Sequence, residues 1–151
     1  MPVIVSDTSP VRALAHLGLL TLLEKSSGKV LVPNSVAKEL LNPPSRFQSI
    51  DISNYDFFQV VVPQDEPFVT QLTARLDRGE AEAIAVAVEM HAVTLLIDEV
   101  AGRQVAIEFG LAPLGTVGLL LRAKQCRLCS NIAPLLDSLR SDLRFHLSDS
   151  L

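Results

Sequence analysis

The N-terminal stretch Val3–Pro10 restricts the possible folds more than any other part of the chain. Three apolar residues, starting at Val3, lead through Ser6 to the carboxylate of Asp7. Ser9 is a residue type that caps helices, and Pro10 suits a first helical position, so a helix is expected directly after Asp7. Since Ser9 can provide the cap, Asp7 is left free. A buried strand that carries a free acid at its carboxyl end is typical of the ligand site of an open α/β sheet. The plainer interpretation is that Asp7 itself caps the helix.

Short apolar runs and helical segments alternate along the rest of the chain, which predicts a parallel sheet covered on both faces. We expect a doubly wound, Rossmann-like three-layer α/β fold with about five strands, in a single domain over residues 1–151. Asn34 is predicted to cap one helix, and Gly79 to separate two others; residues 46–55 are left unassigned. The predicted strands are 3–5, 29–32, 57–62, 93–97 and 111–114, and the predicted helices are 11–23 with a break at Gly18, 35–41, 67–76, 80–91, 100–109, 116–125 and 132–139.

Composition excludes some classes of protein. With 48% hydrophobic residues the chain can bury a core, and a net charge of −4 argues against indiscriminate binding to nucleic acid while permitting a local basic groove. The longest apolar run, Ala83–Ile97, is interrupted by Glu89 and His91 and is too short to span a bilayer. The N-terminus has no basic region typical of a signal peptide, so the cytoplasm is the expected location.

Five acids are candidates for one site. Asp7 and Asp98 end the first and fourth predicted strands, and Glu39 lies about one and a half turns into the helix after the second. Glu80 and Glu82 begin the helix before the fourth strand, where the helix dipole alone also favours acids. Because residues two apart on a helix point about 200° from each other, both can serve one site only if the helix start is irregular or two ions bind.

Clustered carboxylates predict a divalent-metal site. No matching set of His and Cys is present, which argues against zinc. Oxygen ligands suit Mg²⁺ or Mn²⁺, with water and phosphate completing the coordination. Such a cation would relieve the repulsion between the acids and activate water for phosphodiester hydrolysis.

Four segments in this order resemble the motifs of the PIN-domain nucleases: Asp7–Pro10, Val36–Leu40, Gly79–Ile84 and Leu95–Glu99. The segment Leu114–Lys124 is similar to the prokaryotic branch of uncharacterised PIN proteins close to the VapC toxins. The resemblance covers nearly the whole chain and implies a doubly wound sheet and an Mg²⁺- or Mn²⁺-dependent ribonuclease. It also implies RNA as the substrate, a possible antitoxin partner, and a homodimer, for which the apolar segment Leu114–Leu121 offers a surface.

The resemblance also implies a role for particular residues. The first, second and last acids of the family fall on Asp7, Glu39 and Asp98. The third acid of the family is often an aspartate and falls here on Glu80 or Glu82. The Glu-Ala-Glu-Ala run also resembles a flap-endonuclease motif in which both glutamates bind metals. The choice between Glu80 and Glu82 therefore stays open. Thr8 or Ser9 matches the family's hydroxyl beside the first acid.

The remaining candidates are weaker. Arg103 and Lys38 are placed to reach a phosphate, although a solvated helix face explains both. Cys126 and Cys129 have the spacing of half a zinc site but no second pair, and we interpret them as incidental thiols. His16, His91 and His146 are scattered. The main alternative to an enzyme is a non-catalytic module of the same fold that binds RNA or a protein, and a phosphorylated receiver-like domain lacks its acidic pair and lysine.

Overall fold

The computed structural model describes residues 2–128 and 131–142, and this part of the chain contains one parallel five-stranded sheet. The spatial order is β3-β2-β1-β4-β5, so the chain builds outward from the first strand and then returns to its other side. This order confirms the predicted doubly wound α/β fold. The strands are β1 (Ile4–Ser6), β2 (Val30–Pro33), β3 (Phe58–Val61), β4 (Thr94–Leu96) and β5 (Pro113–Leu114).

Helices connect the strands and cover both faces of the sheet, because parallel neighbours require crossover connections. A short 3₁₀ helix, Ile52–Asn54, lies within the segment left unassigned from the sequence. The α-helices are α1 (Thr8–His16), α2 (Thr21–Ser27), α3 (Asn34–Leu41), α4 (Glu66–Leu72), α5 (Arg78–Glu89), α6 (Val100–Glu108), α7 (Thr116–Gln125) and α8 (Ala133–Asp142).

Alternating side chains of the strands divide the core into two layers. Ile4 packs into a cluster with residues of α1, α2, α3, α7 and α8, whereas its neighbour Val5 packs into a second cluster with residues of α4, α5 and α6. Successive side chains of a strand point to opposite faces of a sheet, so the two clusters lie on opposite sides. The resulting helix–sheet–helix arrangement is the predicted three-layer architecture.

Five predicted helix starts were wrong, those of α4 and α8 by one residue, and the other three have a clear physical cause. Helix α1 begins at Thr8, so Ser9 lies within its first turn instead of capping it. Helix α3 begins at Asn34, with Pro33 in the N-cap position, because the backbone N–H of Ser35 donates to Oε1 of Glu82 at 3.1 Å. A carboxylate from another helix therefore replaces the local cap that the sequence pattern indicates.

Gly79 does not separate two helices but is the second residue of α5. Asp77 caps that helix by accepting a hydrogen bond from the Glu80 N–H at 2.8 Å, which moves the helix start to Arg78. Helix α4 ends at Leu72, four residues before the predicted end, and the hydroxyl of Thr73 donates to the Thr70 carbonyl at 2.6 Å where the backbone leaves the helix.

The apolar segment predicted to form a dimer surface, Leu114–Leu121, is only partly buried within this chain. Leu119 and Leu120 are in the core, and Leu121 is 40% exposed. Among the described residues, no helix is long and apolar enough to cross a membrane.

Candidate active site

The site lies where the strand order reverses, between the carboxyl ends of β1 and β4. Ser6 pairs with Leu96 in parallel register, and the backbone N–H of Asp7 donates to the Leu96 carbonyl at 2.9 Å. Asp7 and Asp98 both follow this pairing directly. The fold therefore brings both predicted acids to the edge where doubly wound sheets bind ligands.

Asp7 is a buried carboxylate in an acidic environment. It occupies the N-cap position of α1, but its side chain makes no capping hydrogen bond, and it is only 6% exposed. Burial raises the pKa of Asp7 to about 8; the Thr8 N–H opposes that shift, and the nearby charges of Asp77, Glu80 and Glu39 increase it. The raised pKa favours the protonated form of Asp7, and a bound cation would favour the ionised carboxylate.

Glu39 reaches the same edge from α3. The hydroxyl of Thr8, one residue after Asp7, donates to Oε2 of Glu39 at 3.0 Å. Thr8 is buried and Glu39 is exposed, so this hydrogen bond fixes an otherwise mobile side chain beside the first acid. Thr8 is therefore the hydroxyl with a defined position in the site, while Ser9 is half-buried in the first turn of α1.

Asp77 is a fifth acid at this edge that the sequence interpretation overlooked. A Cβ at Gly79 would lie 3.5 Å from both Asp7 Oδ1 and Asp77 Oδ1, in ordinary van der Waals contact, so both carboxylates lie beside Gly79. Asp77 and Glu80 form a reciprocal capping box, in which the Asp77 N–H also donates to Glu80 Oε1 at 3.3 Å. The three-residue spacing of that motif was visible in the sequence.

Glu80 keeps one oxygen for the site. Its Oε2 atom is buried and has no hydrogen-bond partner among the described residues. A Cβ at Gly102 would lie 2.9 Å from this oxygen, so α6 covers it closely. The pKa of Glu80 is raised to about 7, chiefly by burial. The nearby negative charges of Asp77 and Glu99 act in the same direction. Glu99 is thus a second overlooked acid.

Glu82 faces a different environment. It is 4% exposed, and its oxygens accept hydrogen bonds from the Ser35 N–H at 3.1 Å and from Arg78 Nε at 2.8 Å. Burial raises the pKa of Glu82, but the hydrogen bonds from Ser35 and Arg78 outweigh it and hold the pKa below its ordinary value. The roughly 200° between positions two apart on a helix accounts for the separation of Glu80 and Glu82.

Asp98 accepts two hydrogen bonds from the first residue of α7. Its Oδ1 accepts from the Thr116 N–H at 2.6 Å, and its Oδ2 accepts from the Thr116 hydroxyl at 2.8 Å. Half-buried Arg103 lies alongside, since a Cβ at Gly115 would lie 3.1 Å from Asp98 Oδ1 and 3.2 Å from Arg103 Nη1. Lys38, the other predicted phosphate contact, is exposed on α3.

The acids match the donor chemistry of a hard divalent cation. Asp7, with its raised pKa, and Glu80, with an unpartnered buried oxygen, are carboxylates whose repulsion a cation would relieve. Within residues 2–128 and 131–142, however, no three acidic, His or Cys side chains already stand in a ligand arrangement. Binding would therefore require rotation of the acidic side chains at this edge.

The other candidates from the sequence lie elsewhere. His16 Nε2 approaches both Ser138 Oγ at 3.2 Å and Asp142 Oδ2 at 2.9 Å. Because both partners share one ring nitrogen, this is not the arrangement of a nucleophile–base–acid triad. Cys126 is exposed, and Cys129 and His146 lie outside the described residues.

Comparison with known families identifies the chain. The family model DUF3368, described as a PIN domain, matches residues 3–151. A search of curated proteins finds no match. The matched range includes every strand and every acid discussed above. The chain therefore belongs to the DUF3368 family of PIN domains.

Proposed function

We propose that the protein is a metal-dependent ribonuclease that hydrolyses phosphodiester bonds at the carboxyl edge of β1 and β4. One observation carries the proposal: Asp7 and Glu80 are buried at the switch point of the sheet with their pKa raised to about 8 and about 7. Burying two such acids near one another is unfavourable unless a positive charge joins them. Membership of a nuclease-type family supports the same function.

Each residue has a distinct role in this proposal. Asp7 and Glu80 would hold Mg²⁺ or Mn²⁺, with Glu39 positioned by Thr8 and Asp98 positioned by Thr116. Bound there, the ion would act as a Lewis acid that polarises a phosphoryl oxygen and lowers the pKa of water. Arg103, beside Asp98, would donate to a non-bridging phosphate oxygen. Glu82 would position α3 and α5 without binding the ion.

Cleavage of RNA in Mn²⁺ tests the proposal. Asp7→Asn retains size but removes the charge that would hold the ion, so cleavage should fall by more than about 100-fold, beyond what loss of a supporting residue costs. Asp56→Asn is a matched control, because Asp56 is exposed on a turn away from the acids. Folding should survive in both variants, as checked by circular dichroism. A folded wild type that cleaves no RNA in Mn²⁺ would refute the enzyme proposal.

The rival function is a non-catalytic module that binds RNA or a protein. Its strongest support is that Asp98 and Glu82 already have structural hydrogen bonds to helix starts. If the acids are structural only, Asp98→Asn should bind RNA as the wild type does, with no difference that depends on Mn²⁺. A role as the toxin of a toxin–antitoxin pair remains a prediction from the family resemblance.

A further inference from the structure

A cleft of about 420 Å³ opens beside the acidic site. It lies between α1, the loop that follows α3, and the end of α8. Its volume is within the range of small-ligand sites, and its lining combines positive charge with an aromatic ring. Its lining includes the side chains of Arg12, His16, Arg46, Phe47, Gln48 and Asp142.

Two guanidinium groups share one aromatic ring in this cleft. The Cζ atoms of Arg12 and Arg46 lie 4.1 Å and 4.7 Å from the centroid of the Phe47 ring. We call these three residues the arginine–phenylalanine cluster. In the described part of the chain neither arginine forms an ion pair with an acid. The two positive charges repel each other, and the ring only partly compensates.

Arg12 has hydrogen-bonding capacity that the protein does not use. Its Nε and Nη2 atoms are buried and have no partner among the described residues. A buried donor without an acceptor is unfavourable, and a guanidinium presents a planar fork that matches a phosphate. These two donors of Arg12 therefore lack an acceptor within the described chain.

The cleft adjoins the proposed scissile position. Arg12 follows Thr8 by four residues, so the two lie on the same side of α1, about 6 Å apart along its axis. Thr8 donates to Glu39, and Arg12 is close enough to Glu39 and Asp7 to interact electrostatically with both. A strand whose phosphate lay over the acids would thus continue directly into the cleft.

We propose that this cleft binds the nucleotide of a single-stranded RNA next to the scissile phosphate. Arg12 donates to its phosphate, and its base stacks on the arginine–phenylalanine cluster, since bases stack on both aromatic rings and guanidinium planes. Gln48 is exposed at the rim and can reach a base edge. The inference rests on the proposed function for the identity of the ligand, because the cluster alone also suits other anions.

An acidic peptide is the other anion to consider, and the cleft favours RNA over it. A peptide carboxylate would use only the two positive charges, whereas a nucleotide also has a flat base that can stack on the exposed guanidinium plane of Arg46. Asp142 at the cleft edge is already paired with His16 at 2.9 Å, so it does not neutralise Arg12 or Arg46. An aromatic ring flanked by cations is typical of single-strand recognition.

Binding without metal separates the cleft from catalysis. A short labelled single-stranded RNA would be titrated by fluorescence anisotropy in EDTA at several salt concentrations, using Asp7→Asn as the parent so that no cleavage occurs. Arg12→Gln should weaken binding and lower the slope of log K against log salt by about 0.7, the value for one phosphate contact on a single strand. Phe47→Leu should weaken binding by about 5- to 100-fold without changing the slope.

Matched controls lie away from the cleft. Arg122→Gln removes an exposed arginine of α7, and Phe109→Leu replaces the 41% exposed ring of Phe109 after α6; neither should alter affinity. Phe47→Trp preserves an aromatic surface and should bind within about twofold of the parent, which distinguishes stacking from a loss of folding. Melting temperatures would verify that every variant is folded.

The outcomes distinguish this inference from the proposed function. If the parent binds no RNA in EDTA, or if Arg12→Gln and Phe47→Leu bind as the controls do, the cleft proposal is overturned even if the wild type cleaves RNA in Mn²⁺. If the cluster variants lose RNA binding while the wild type cleaves nothing, the cleft proposal stands and the ribonuclease proposal fails. A labelled poly-glutamate peptide would be titrated in the same way. If Arg12→Gln and Phe47→Leu lose binding of this peptide but bind RNA as the parent does, the cleft proposal is overturned in favour of a protein ligand.

Discussion

Replacing Asp7 by asparagine should stabilise the metal-free protein at neutral and alkaline pH. The pKa of Asp7 rises from 3.8 to about 8 on folding, chiefly through burial. At about 1.4 kcal/mol for each unit of pKa, the ionised carboxylate opposes folding by on the order of 5 kcal/mol. Because typical domains are stable by about 5–15 kcal/mol, this one group consumes a large share of the free energy of unfolding.

The sign of the pH dependence follows from the direction of the shift. A group whose pKa is raised in the folded state contributes stability below its unfolded pKa and loses it as the pH rises through the folded value. Asp7 should therefore contribute a decline of about 1.4 kcal/mol per pH unit between about pH 4 and pH 8. Glu80, with a pKa raised to about 7, should add to the decline between about pH 4.5 and pH 7.

Urea unfolding in EDTA across that pH range measures this effect. Wild type and Asp56→Asn should lose stability in parallel as the pH rises, whereas Asp7→Asn should show a shallower decline and be the most stable of the three at pH 8. Asparagine resembles the protonated acid in size and has no charge to desolvate. If the wild-type and Asp7→Asn curves ran parallel, the assignment of the raised pKa to Asp7 would be wrong.

Further consequences concern the ion, the two glutamates and assembly. Millimolar Mn²⁺ should raise the melting temperature of the wild type through binding to the folded state alone, and an unchanged value would count against the metal site. Glu82→Gln should lower the metal-free free energy of unfolding by about 1–3 kcal/mol, because it weakens the bonds from Arg78 and Ser35, and should retain the response to Mn²⁺. Glu80→Gln should do the reverse, raising stability in EDTA near pH 7 while reducing the Mn²⁺ response; the opposite pattern would assign the ion to Glu82. The family resemblance predicts a homodimer, and a monomeric mass by light scattering at high protein concentration would contradict it.

The order of apolar runs was sufficient to predict the architecture. Residues 30–32 of the second strand are buried and form a continuous apolar segment, which is typical of a parallel sheet. The observed β2, Val30–Pro33, is shifted by one residue from the prediction, and all of its residues are buried. Periodicity identifies elements reliably here because each helix covers one face of a strongly apolar sheet.

The hydrogen-bond partners of the acids were not predictable in the same way. The capping rules consider residues next to a helix start, yet Ser35 is bonded by Glu82 across 47 positions and Thr116 by Asp98 across 18. Hydrogen bonds between residues so far apart depend on how the helices pack, and a local sequence pattern does not predict that packing. Asp77 is the exception, since its capping box with Glu80 lies within four consecutive residues and was simply overlooked.

These long-range caps explain why the predicted acids differ in how well the fold stabilises their charges. Glu82 and Asp98 each satisfy a helix start, so their charges are already stabilised by backbone and hydroxyl donors. Asp7 lies at a helix start but makes no capping bond, and Glu80 Oε2 has no partner in the described chain. The unfavourable electrostatics are therefore concentrated on Asp7 and Glu80. A cation that binds this pair gains the free energy that the fold loses by burying it, and for that reason the stability and the activity of this protein should respond to the same two residues.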